Sequence, residues 1–147
     1  MNIDHPSKEL YPAMEKLWQD TFGGPKEVTA RFFTTAFLED HTLCAVKDHL
    51  LQGVVYWIDC TRGEEKWAYI YAFAVDQGFR GQGIGKKLME KAFEILESRD
   101  YTGVLLLPGE DWLWDYYGKM GFAPFGSCRE VSCEPKEPAS LCKLTPE

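Results

Sequence analysis

The chain has 147 residues, 45% hydrophobic and 27% charged, with 16 Lys and Arg against 23 Asp and Glu for a formal net charge of −7. That length suits one domain, residues 1–147, and buries enough surface for a core without staples, while the composition excludes disorder and fibrous repeats. The acidic balance argues against nucleic acid as a partner.

The opening MNIDHPSKEL carries Asp4 and Glu9 and no apolar run, so no secretory leader is expected and a cytoplasmic protein is. Ser7 to Thr21 reads as a helix with Leu10, Met14, Leu17 and Trp18 on one stripe, closed by Gly23-Gly24-Pro25. Lys26 to Leu38 reads as a second helix, its apolar positions being Val28, Phe32, Phe33 and Phe37. Leu43 to Val46 and Leu51 to Ile58 read as strands joined by a short turn around Lys47-Asp48-His49, and the polar stretch Cys60 to Lys66 reads as a hairpin loop.

Trp67 to Val75 is apolar on both faces, as a central strand covered on both sides requires. Simple alternation puts Trp67, Tyr69, Tyr71, Phe73 and Val75 on one face and Ala68, Ile70, Ala72 and Ala74 on the other. A glycine-rich turn, Gly78 to Gly83, leads into a helix from about Ile84 to Ser98, with Ile84, Leu88, Ala92 and Ile95 as its stripe. Val104 to Leu107 is a short apolar strand stopped by Pro108-Gly109. Strand, helix and strand at this spacing form a right-handed crossover, so the two strands should be parallel. Asp111 to Met120 reads as a short helix with Gly121 just past its end, and Phe122 to Leu144 as one or two antiparallel strands. The expected class is α/β, a mixed sheet with helices on both faces.

No stretch approaches the roughly 18 apolar residues of a membrane span, so no membrane partner is expected. The five cysteines, Cys44, Cys60, Cys128, Cys133 and Cys142, form no CxxC, and His5, His41 and His49 join no cluster with them. Reduced thiols and no metal site are expected.

The turn Arg80-Gly81-Gln82-Gly83-Ile84-Gly85 carries the most chemistry. A glycine turn opening a helix offers free N–H groups and the positive end of the helix dipole to an anion. It is neither of two common phosphate loops. A dinucleotide fingerprint starting at Gly81 would need glycine where Lys86 stands. A P-loop ending at Gly85-Lys86 would need glycine at Arg80 and a hydroxyl at Lys87. Arg80, Lys86 and Lys87 form a cationic island in an acidic chain, with the two lysines in the first helical turn where the dipole disfavours them. A bound polyphosphate would remove that conflict.

These residues resemble the pyrophosphate loop of the GNAT superfamily of acyl-CoA-dependent N-acetyltransferases, Arg/Gln-x-x-Gly-x-Gly/Ala after a central strand ending in valine, here Val75. A second element, a short helix ending Tyr-x-x-x-Gly-Phe, is matched by Tyr117-Gly118-Lys119-Met120-Gly121-Phe122. The resemblance covers Trp67 to Phe122. It implies a mostly antiparallel sheet with one parallel, splayed strand pair, and acetyl-CoA as co-substrate. The donor would be held by Arg80, Gly81, Gln82, Gly83, Ile84, Gly85 and Lys86, with its pantetheine arm against backbone near Phe73 and Val75. Pro108, which has no N–H, suits an end to strand pairing there.

The resemblance also implies that Tyr117 protonates the leaving thiolate, with Tyr116 as its rival beside it. The general base is unassigned, because Tyr69 and Tyr71 stand where some relatives carry His or Glu, and tyrosine with a pKa of about 10 is a poor base. Glu110 or a water chain are the alternatives, and a cysteine relay is disfavoured because no cysteine lies in the matched elements. The expected function is acetyl transfer from acetyl-CoA to a primary amine by direct attack; the alternative is a catalytically inactive acyl-CoA-binding regulatory module. Acids at Asp59, Glu64 and Glu65 and at Glu110, Asp111 and Asp115 suit a cationic acceptor, a small amine or a peptide amine. Trp57, Trp67, Trp112 and Trp114 are candidates for the floor of its pocket, and a homodimer is an open alternative.

Overall fold

A computed structural model describes residues 1–124. Strand β1 (Asn2–Asp4) leads into helices α1 (Tyr11–Phe22) and α2 (Lys26–Thr35), then β2 (Thr42–Lys47), β3 (Leu50–Arg62) and β4 (Glu65–Val75). Helix α3 (Ile84–Ser98), strand β5 (Gly103–Leu105) and helix α4 (Trp112–Gly118) follow. The five strands form one sheet in the order β1-β2-β3-β4-β5, antiparallel throughout except for the parallel pair β4 and β5. The mixed sheet and its parallel crossover are therefore as expected. The strands expected in the tail lie outside the described residues.

Each sheet face carries its own core. Leu43, Val55, Trp57, Ala68 and Ile70 meet Ile84, Leu88, Met89, Ala92 and Leu96 of α3, with α4 packed alongside. On the other face Cys44, Val54, Tyr56 and Ala74 meet Met14, Leu17 and Trp18 of α1, and Phe32 and Phe33 of α2 close over them. Trp18 is the hub, with Phe32, Tyr56 and Tyr71 ring centroids 4.9, 5.8 and 5.4 Å away.

Several boundaries move for local reasons. Helix α2 stops at Thr35, not Leu38, and the hydroxyls of Thr34 and Thr35 bond back to the carbonyls of Ala30 and Arg31, the competition that disfavours such residues in helices. Val28, expected on its apolar stripe, is exposed. Strand β3 extends to Arg62, so the polar stretch expected as a loop is mostly ladder, with Arg62 opposite Glu65 around Gly63 in the left-handed region. The β2–β3 turn is two residues, Asp48 and His49, both at positive φ as tight hairpins demand. Strand β1 escapes a sequence reading because it is three residues long with one apolar side chain, Ile3.

The largest departure lies in β4. Tyr71 is opposite Tyr56 and Ala74 opposite Val54, so Ala72 and Phe73 share the place opposite Val55. This is a β-bulge, with Ala72 at φ 49°. It reverses the parity of the strand. Ala68 and Ile70 face α3, Tyr71 and Ala72 face α1, and Phe73 and Val75 face α3 again. Strict alternation over Trp67 to Val75 is thus corrected.

Candidate functional site

After Tyr69, ahead of the bulge, β4 has no strand neighbour on one side among the described residues. Its pairing with β5 runs from Trp67–Gly103 to Tyr69–Leu105 and stops, and the chain departs through Leu106 and Leu107 to Pro108. The expected strand Val104 to Leu107 is therefore only Gly103–Leu105. The edge of β4 from Ile70 to Val75 instead borders a cleft of about 750 Å³. Its other walls are the glycine turn with the first turn of α3, the stretch through Leu107 and Glu110, and the α4 side chains Trp112, Tyr116 and Tyr117.

The turn is built by local bonds. Asp76 accepts the N–H of Gly78 at 2.9 Å, and Arg80 Nε donates to the Val75 carbonyl at 3.1 Å. Gly81 and Gly83 stand at φ 81° and 78°, where a Cβ would be strained. Gly83 is the N-cap of α3 and supplies no side-chain acceptor; the helical ladder begins with Lys87 N donating to Gly83 O at 3.1 Å. The amides of Ile84, Gly85 and Lys86 precede that first bond and have no acceptor within the helix. They lie where the cleft ends.

Of the residues singled out in the sequence, Phe73, Val75, Arg80, Gly81, Gly83, Ile84, Gly85, Lys86, Glu110 and Tyr117 all line this one cleft. Gln82 and Lys87 are exposed and stand outside its lining. Lys86 has a surface partner in Glu90 at 4.0 Å, a contact worth little in water.

Tyr117 is 9% exposed, with its ring 6.2 Å from Phe73 and 5.9 Å from Phe122. Burial, with a smaller contribution from Tyr116, pushes its pKa up to about 12, so the phenol stays protonated at neutral pH. Glu110 is exposed at the cleft and accepts the indole N–H of Trp112. Tyr69 and Tyr71 do not line the cleft, and Tyr71 packs into the aromatic core of α1 and α2.

The acids separate into two places. Asp59 lies beside Ala68 of β4, bonded by Tyr101 and by His41 at 3.1 Å, with Lys66 at 3.8 Å. Glu65 accepts Trp67 Nε1–H at 3.0 Å. Neither lines the cleft, whose acid among the described residues is Glu110. Trp57 is core and Trp67 and Trp114 stand elsewhere, leaving Trp112 as the cleft tryptophan. Composition gave no sign that Thr21 and Phe22, at the end of α1, would reach the same cleft. No group of acids, histidines and cysteines that could hold a metal occurs among the described residues, and no described helix is long and apolar enough to cross a membrane.

An open strand edge leading to an uncapped helix N-terminus defines a domain that can receive an extended chain ending in an anion. The sequence profile of the Acetyltransferase (GNAT) family matches residues 11–122. The chain belongs to that family. Among solved structures it is similar to the aminoglycoside antibiotic 6'-N-acetyltransferase of Acinetobacter haemolyticus, at 15% identity and TM-score 0.76, covering 92% of this chain and 100% of that one. A predicted acetyltransferase with acetyl-CoA from Clostridium acetobutylicum matches at 14% identity and TM-score 0.73, covering 89% and 95% of the two chains. Glucosamine-6-phosphate N-acetyltransferase from Arabidopsis thaliana matches at 16% identity and TM-score 0.70, covering 90% and 98%.

Proposed function

We propose that the protein transfers the acetyl group of acetyl-CoA to a primary amine by direct attack. One observation carries the reading. The free edge of β4, the uncapped amides at the start of α3 and the buried phenol of Tyr117 all open into the same cleft. The diphosphate of the donor would lie on the amides of Ile84, Gly85 and Lys86, where dipole and free N–H groups favour negative charge. The pantetheine arm would run along β4 beside Phe73 and Val75 as a further strand, bonding to its backbone. The amine nitrogen attacks the thioester carbonyl carbon, and a β4 N–H facing the cleft steadies the oxyanion as it forms. The C–S bond then breaks, and the Tyr117 hydroxyl donates to the departing thiolate.

The ammonium proton leaves to water or to Glu110, the acid on the cleft wall. The names of two structural neighbours, which act on an aminoglycoside and on glucosamine-6-phosphate, support an amine as the acceptor class.

Calorimetry with CoA tests the donor site through two variants of Gly83. A Cβ there meets nothing within 4 Å but must adopt φ 78°. Gly83→Ala adds the strain alone, whereas Gly83→Asp adds a negative charge among the amides. CoA affinity is expected to fall modestly in the first and by at least about a hundredfold in the second, because the carboxylate repels the diphosphate and competes for amide hydrogen bonds worth about 1.5–3 kcal/mol each. Equal affinities for CoA in the two variants would remove the diphosphate from this turn. Release of free CoA thiol from acetyl-CoA, dependent on an added amine, separates the enzyme from a module that only binds.

A further inference from the structure

We infer that Tyr116 is a second donor-site tyrosine, a contact to the diphosphate of the acyl carrier, and that its hydroxyl is the reason residue 85 is a glycine. The inference rests on the donor site proposed above and assigns Tyr116 a role distinct from that of Tyr117.

Adjacent residues on a helix point about 100° apart, so the two tyrosines of α4 address different walls. Tyr117 turns inward onto Phe73 and Phe122. Tyr116 lies beside Trp112, ring centroids 5.9 Å apart, and reaches across the cleft to α3. Its hydroxyl sits against Gly85, closer to the place a Cβ would occupy than any real side chain allows. Phe73 Cζ and Val75 Cγ2 follow at 3.0 and 3.5 Å from that point. Gly85 has helical backbone, so its lack of a side chain answers to this close approach and not to conformation.

The place of that hydroxyl is informative. Gly85 belongs to the first turn of α3, whose amides have no capping acceptor. The positive charge of Arg80 is felt at the same phenol, drawing its acidity partly back from the rise that burial causes. An O–H therefore stands against the first turn of α3, where the charge of Arg80 is felt, on the wall of the cleft that would hold the proposed diphosphate. Packing alone gives no use for it. On the apolar wall that it shares with Phe73, Val75 and Leu113, a phenylalanine would bury the half-buried ring equally well. A diphosphate oxygen supplies the acceptor that such a hydroxyl needs, and hydrogen bonds to charged groups are the strong ones.

The test compares two ligands that share the pantetheine arm and differ in the nucleotide diphosphate, namely CoA and pantetheine. In Tyr116→Phe the dissociation constant for CoA is expected to rise about tenfold or more, while that for pantetheine stays within twofold. A parent protein that binds CoA while Tyr116→Phe binds it equally well overturns this inference and leaves the proposed function standing. Equal weakening toward both ligands also overturns it, since that reports a packing loss. A parent protein that binds no CoA overturns both.

A second measurement reads the contact without any ligand. Gly85→Ala is expected to lower the urea midpoint of the parent, and to lower it much less in the Tyr116→Phe background, where the obstructing oxygen is gone. Additive losses in that cycle would show that the hydroxyl does not fix residue 85 as glycine.

Discussion

A phenol held at a pKa of about 12 by burial is a weak acid for its task, and this shapes what Tyr117 can do. A thiol near the cysteine value of about 8.5 lies some 3.5 units below it, so complete proton transfer at rest costs about 5 kcal/mol. In the proposed reaction the hydroxyl would therefore stabilise the departing thiolate by a hydrogen bond that tightens as the C–S bond lengthens, with full transfer waiting for the thiolate to leave. Tyr117→Phe keeps the ring against Phe73 and is expected to lower kcat by about 10²–10³, with CoA affinity changed less than threefold. The pH profile carries the second half of this expectation. Because the phenol stays protonated up to about pH 12, kcat should show no alkaline decline from Tyr117 below that range. A decline between pH 9 and 10 that vanishes in Tyr117→Phe would mean the hydroxyl is far more acidic in the reacting complex and transfers its proton outright.

The element that makes the site is β4, and its decisive feature is the bulge at Ala72. By turning Phe73 and Val75 to the α3 side, the bulge puts them on the cleft wall beside the free edge that β5 leaves after Leu105. Ala72 holds φ 49°, a conformation that costs an L-residue roughly 1–2 kcal/mol and a β-branched one more. Ala72→Val is accordingly expected to cost on the order of 2 kcal/mol by urea unfolding, and to weaken CoA binding by disturbing the edge proposed to receive the pantetheine arm. Unchanged stability would mean that the strand regularises without penalty, and the account of the cleft wall would fail with it. Nothing in the run Trp67 to Val75 announces the bulge, because alanine is not a residue that signals positive φ. The irregularity comes from the ladder to β3, a tertiary fact. What the sequence does carry is the glycine turn and the stripe of α3, since backbone conformation and amphipathic period leave marks on residue type. Tyr116 and Tyr117 are chemically identical neighbours, and only the close approach to Gly85 tells their walls apart. The acids of the β3–β4 region were equally unreadable, because pairing with His41, Tyr101 and Trp67 is decided by the hairpin's length and register.

Across the whole molecule, the two cores hold weak acids that would lose their protons at a lower pH in water than in the fold, and this sets how stability responds to alkaline pH. Burial pushes the Cys44 thiol from 9.0 up to about 12 and Tyr117 from 10.0 up to about 12. Tyr56, 1% exposed, is raised as well, by burial first and then by its neighbours Cys44 and Glu15. In each case the unfolded chain loses its proton at a lower pH than the folded one. Their contribution is therefore complete below about pH 9 and is lost as pH rises from there to 12. At about 1.4 kcal/mol per unit, shifts of this size amount to several kcal/mol, comparable to the whole stability of a small domain. On the acid side, hydrogen bonding from His41 holds Asp40 below its ordinary value. Burial works against Asp59, but hydrogen bonds from Tyr101 and His41 outweigh it and hold that carboxyl low too. What these two contribute is present above the ordinary carboxylate range and fades as pH falls through it. The urea midpoint should thus be flat between about pH 6 and 8 and fall steeply above 9. Tyr56 supplies the diagnostic variant, because its buried hydroxyl has no hydrogen-bond partner among the described residues. Tyr56→Phe removes that desolvated group while keeping the ring among Trp18, Phe32 and Phe33, so it should stabilise the protein by about 1 kcal/mol at pH 7. The advantage should widen above pH 10, where the parent tyrosine begins to favour the unfolded chain. A variant less stable than the parent at pH 7 would mean that the hydroxyl is bonded after all, and a midpoint unchanged from pH 8 to 11 would remove the buried acids from the account of stability.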